Sequence, residues 1–168
     1  MNYQAIAILG TCLLLTALLS FSLLDVLTTF RWNKKQPQKE FTKSNPLYRA
    51  VNYVAFSLLA TQMVNYLMDV LKILQIEQEG LELAKSAFSY FAVFFAVVLG
   101  VFLLVYLLSR LVVLNVQSSA NAPESTPLFT GRTLLYAGVL LSFVILFKTL
   151  VAHLFEVMVP NPTIPGFH

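Results

Sequence analysis

Long charge-free runs organise this chain, with no strict alternation of apolar and polar residues. Met1–Leu24, Ala50–Met68 and Ser86–Ser109 carry no charged side chain, and Thr133–Val159 carries only Lys148 and Glu156, with His153 between them. A helix of about 20 residues crosses a hydrocarbon layer of roughly 30 Å, so each run is long enough to span. In lipid the backbone must satisfy its own hydrogen bonds, and the short alternating strands of a barrel are missing, which leaves helices. The pattern predicts four transmembrane helices near 4–30, 47–75, 84–114 and 128–158. The expected fold is all-α: an integral membrane four-helix bundle forming a single transmembrane domain over 1–168.

Composition strengthens this picture. Hydrophobic residues make up 58% of the 168, against about 45–50% in soluble domains. Charged residues make up 11%, against about 25%. The single Cys12 excludes an internal disulfide framework, and two histidines exclude a bis-histidine haem site built with His153 in the spans. The small excess of 11 basic over 8 acidic residues sits in particular loops. Arg31, Lys34, Lys35, Lys39, Lys43 and Arg49 crowd the first connection, and Arg110 and Arg132 edge the third. The second connection holds Asp69, Glu77, Glu79 and Glu82 against Lys72 and Lys85. Basic loops stay in the cytoplasm, so both termini are expected outside. The positive charge is then a topology signal and implies no nucleic-acid partner. The first run has no basic residue before it, unlike a cleaved signal peptide, and is read as a retained helix.

Two helix starts resemble each other. Asn45-Pro46-Leu47-Tyr48 precedes the second run and Thr126-Pro127-Leu128-Phe129 the fourth, 81 residues later. Asn or Thr at the cap accepts a free N–H, and Pro in the first turn has no N–H to lose. At the same offset Ser57 meets Gly138 and Thr61 meets Ser142. The chain therefore reads as two parallel helical-hairpin repeats, 1–80 and 81–160.

Each run also carries a stripe of small or polar residues. Ala92, Ala96 and Gly100 mark the third helix, and Gly131, Gly138 and Ser142 the fourth. Small residues let helices approach closely where lipid removes the hydrophobic drive, so these are the expected helix-packing residues. Ionisable groups at depth are costly and point to function. Lys148, with Gln62, Asn65, Asp69, His153 and Glu156, is the candidate intramembrane polar pocket. Alternatively Lys148 reaches the outer interface along its apolar stem.

Catalytic motifs are absent: there is no phosphate loop, Gly-x-Ser-x-Gly or His-Glu-x-x-His. His153 and Glu156 lie one helical turn apart but have no second such pair, so no metal site is expected within one subunit. No cofactor is expected and the chain is not read as an enzyme.

Two parallel hairpins with basic inner loops, with Asn52 and Ala55 in the second helix and Thr133 where the fourth would carry Asn, resemble the small duplicated YjfL-like inner-membrane family of unknown function. The resemblance implies an envelope-associated bacterial protein and supplies no activity. The expected role is a non-catalytic membrane module in the bacterial inner (plasma) membrane. It would contact lipid and assemble with itself or with other membrane subunits through small-residue faces. The competing expectation is an oligomeric channel or transporter for a small ion, using Lys148 and the amides of the second helix.

Overall fold

The computed structural model of the chain describes residues 3–29, 46–119 and 128–159. The basic first loop, the polar third connection and the proline-containing tail lie outside the described residues, as do the side chains of Asp25 and Arg132 and the exposure of Gly131. The described residues form four helices: α1 Tyr3–Thr29, α2 Pro46–Glu77, α3 Gly80–Ser119 and α4 Leu128–Met158. All four are long and apolar enough to cross a membrane. The third is longer than the hydropathy pattern predicts, at 40 residues. At 1.5 Å per residue it reaches about 60 Å, twice the hydrocarbon thickness. The extra residues include Glu82 at one end and Asn115 at the other.

Between α2 and α3 stand only Gln78 and Glu79. The Gln78 N–H donates to the Leu74 carbonyl at 2.8 Å, closing the last turn of α2. Gly80 then takes φ +62°, a conformation that costs a residue with a Cβ but not glycine. The reversal is sharp, and α2 and α3 lie against each other along their length.

α2, α3 and α4 pack on one another pairwise, whereas α1 leans mainly on α2, touches α3 less and hardly meets α4. In cross-section α2 and α3 form the short diagonal of a rhombus, with α1 and α4 on opposite flanks. Large apolar side chains fill the centre. Phe94 of α3 meets Phe155 of α4 at 4.5 Å between ring centroids, and Tyr66 of α2 meets the same Phe155 at 5.7 Å. Phe56 of α2 meets Phe102 at 5.5 Å, edge on. Leu59, Met63, Leu67, Val98, Leu140 and Val144 are among the other fully buried side chains. Ring edges against ring faces are the favourable aromatic arrangement, and dispersion is the attraction that survives when the solvent is itself apolar.

The bundle does not use the small residues expected to hold it together. Ala92, Ala96 and Gly100 on α3 are exposed, as are Gly138 and Ser142 on α4. A Cβ built on Gly100 or Gly138 would meet nothing within 4 Å. The side of each helix turned inward is instead chosen by its phenylalanines, leucines and valines. The small stripes lie on the opposite side, pointing away from the molecule.

Candidate functional site

Two regions gather polar groups: one at the end of the bundle near Arg49 and Arg110, the other along its outer faces. At the first, α2 and α4 begin and α3 approaches its end. Tyr48 and Asn52 stand one turn apart on α2, Tyr106 and Ser109 lie on α3, and Thr133 and Tyr136 on α4, all buried. The Tyr136 hydroxyl donates to the Asn52 Oδ1 at 2.8 Å. The Asn52 amide Nδ2 donates to the Tyr48 carbonyl at 2.7 Å, and the Tyr48 hydroxyl donates to that of Tyr106 at 3.1 Å. Tyr48 and Tyr136 stack with centroids 4.7 Å apart, and the Arg110 guanidinium lies 5.8 Å from the Tyr106 ring centroid. Ser109 donates to the Val105 carbonyl one turn back at 2.8 Å.

A buried polar group left unbonded is costly, so a satisfied network fixes which residues face each other. Chemically this network holds three helices in one register. Its signal in the sequence was slight: three tyrosines and one asparagine in runs otherwise read as apolar. Asn52→Leu should lower stability by about 1–2 kcal/mol, since it strands the Tyr136 hydroxyl. Adding Tyr136→Phe should recover part of that loss. Unfolding of both variants in mixed detergent micelles measures the difference. Equal stability of the single and double variants would show that the bond does not matter.

The residues expected to form an intramembrane pocket are distributed along the outer faces. Asp69 pairs with Lys72 on its own helix at 2.8 Å. His153 lies 3.4 Å from Glu156, also within one helix, and their side chains are 73% and 71% exposed. Asn65 is exposed, and Gln62 and Lys148 are half-buried. Among the described residues, no hydrogen bond or ion pair joins Lys148 to Gln62, Asn65 or Asp69. Among the same residues no group of three His, Cys, Asp or Glu side chains is placed to hold a metal ion.

Instead, the arrangement produces outward stripes. On α2, Ser57, Thr61, Asn65, Asp69 and Lys72 are all exposed; on α4, Gly138, Ser142, Thr149, His153 and Glu156 are. At 100° per residue each set falls within one arc, opposite the buried arc of its helix. Ser142 and Thr61 donate to carbonyls one turn back, at 2.8 and 2.9 Å, which satisfies their hydroxyls without a neighbour. Asn65 has no such backbone bond.

A cavity of about 310 Å³ opens at the acidic end, lined by Tyr3, Gln4, Gln75, Gln78, Glu79 and Leu83. The Gln75 Nε2 and Gln78 Oε1 are buried there without a hydrogen bond. The space is polar and roomy enough for several waters. Compared with known proteins, this chain matches no protein family, no curated protein and no solved structure.

Proposed function

We propose that the chain is a non-catalytic subunit of a bacterial inner-membrane assembly, docking to other transmembrane helices through the outward stripes of α2, α3 and α4. The observation that supports this is the direction of those stripes. Helix faces carrying Asn65 on α2 or Thr149 on α4 beside a row of small side chains gain nothing from lipid, whereas small residues at a helix–helix contact allow close backbone approach. The exposed leucines and valines of α1, including Leu14 and Leu18, suit the acyl chains. The basic end of the bundle, with Arg49 and Arg110, lies in the cytoplasm, and the acidic turn with Glu79 and Glu82 lies outside together with both termini, as the charge rule favours. A two-hairpin origin is supported by positions 81 residues apart having like environments. Asn52 and Thr133 are both buried, while Ser57 and Gly138, and Thr61 and Ser142, are all exposed.

The native mass of the protein, extracted gently from its own membranes, tests the reading. A complex larger than one chain is the expected result. A single chain with no partner, at any detergent concentration that keeps it folded, would overturn the proposal.

A further inference from the structure

We infer that the partner is a second copy of this chain, with the outer stripe of α2 on one copy seated against the outer stripe of α4 on the next. This rests on the assembly reading above and names its partner. Tyr136 contacts Asn52 near one end of the bundle and Phe155 contacts Tyr66 further along, so α2 and α4 run in the same direction. The Tyr136–Asn52 bond joins residues 84 apart, which sets the positions that share a depth, to within about one turn. Copies related by an axis along the membrane normal keep those depths, so the same levels meet across the contact.

At that spacing the two stripes are complementary in shape and charge. Val54 and Leu58, both exposed, stand level with Gly138 and Ser142, so bulk faces a notch. One turn on the relation reverses, and Thr61 stands level with the exposed Ile145. Asn65 stands level with Thr149, giving each a hydrogen-bonding partner at a depth where lipid offers none. Towards the outer surface Asp69 meets His153 and Lys72 meets Glu156, opposite in sign when His153 is protonated and in any case for Lys72 with Glu156. An α2-to-α2 contact would instead set Leu58 and Val54 on themselves and Asp69 near its own copy. An α4-to-α4 contact would leave Asn65 and Asp69 of both copies facing lipid. The head-to-tail contact covers both stripes with one interface, and its repetition forms a ring where the rotation between copies closes.

Cysteine crosslinking of the full chain in its membrane tests this. In a Cys12→Ala background, Leu58→Cys and Ser142→Cys are made separately, with different tags, and then expressed together. Both positions are exposed, so neither substitution disturbs the bundle. Oxidation should give a mixed dimer carrying both tags, no dimer from either variant alone, and a ladder from a chain carrying both substitutions. Self-dimers of Leu58→Cys or of Ser142→Cys at the yield of the mixture would overturn the inference, as would the absence of any crosslink. The native mass separates the failures. A complex of this chain alone without the crosslink, or one containing a foreign subunit, refutes the α2-to-α4 contact and leaves the assembly reading standing. A lone chain refutes both.

Discussion

Phe155→Ala should cost about 3 kcal/mol of stability, at the low end of the range of about 3–5 for a buried aromatic in a soluble protein. Phe155 is fully buried and lies where three helices meet, against Phe94 of α3 and Tyr66 of α2. In water the loss would combine transfer of the ring to solvent with the cavity left behind. In a bilayer the first part shrinks, because lipid tails are as apolar as the core. The cavity part persists, because the neighbouring rings belong to different helices and cannot all close on the gap. Leu18→Ala makes the control: Leu18 is 66% exposed on α1 and should change stability by under about 0.5 kcal/mol. Unfolding midpoints in detergent mixtures compare the two. Equal midpoints would mean that the aromatic centre is not what holds the helices together.

Gly138→Leu should separate assembly from folding. Within the subunit a Cβ added at Gly138 meets nothing within 4 Å, and replacing a helical glycine raises helix propensity by roughly 0.5–1 kcal/mol. The subunit should therefore be as stable as before, or slightly more so. Between subunits the same leucine fills the notch that allows close backbone approach, a contact that small residues make possible and large ones prevent. The expected result is a native mass reduced to that of one chain with an unchanged unfolding midpoint. Gly100→Leu asks the same question of α3. If both variants keep the parental mass, the outward stripes are not the contact surface. If Gly138→Leu unfolds the protein, the notch is internal.

The four spans were legible because three are charge-free runs of 19 or more residues, Ala50–Met68 being the shortest, and the fourth is broken only by Lys148 and Glu156, a pattern with few alternatives to a membrane helix. Their inward sides were not. Most faces of α1, α2 and α4 carry apolar residues, so periodicity does not say which side meets protein. Small residues are the expected glue of a membrane bundle. Yet Phe56, Phe94, Phe102 and Phe155 make better use of a shared interior, since each offers a large ring to several neighbours. Ala92, Ala96 and Gly100 offer little area and fall on the far side. Among the ionisable groups, Asp69 and Lys72, and His153 and Glu156, are three apart on one helix, a spacing that favours a local pair over a contact across the bundle. The tyrosine–asparagine network escaped because its members are 58 and 84 residues apart, and nothing local marks residues so distant as neighbours.

The thin seam along α1 gives the protein a built-in chemical clock. Only Ala5, Cys12, Thr16 and Leu24 of the described α1 side chains are buried, and Phe21 against Tyr53 at 5.0 Å closes the edge of that seam. The sole thiol in the chain is thus covered only while α1 stays in place. A membrane-permeant alkylating reagent reaches Cys12 when the helix lifts away, so the rate of thiol loss follows the share of time that the helix spends open, or the opening rate itself when reagent is in large excess. No label or added cysteine is needed to follow how often the first helix departs from the other three.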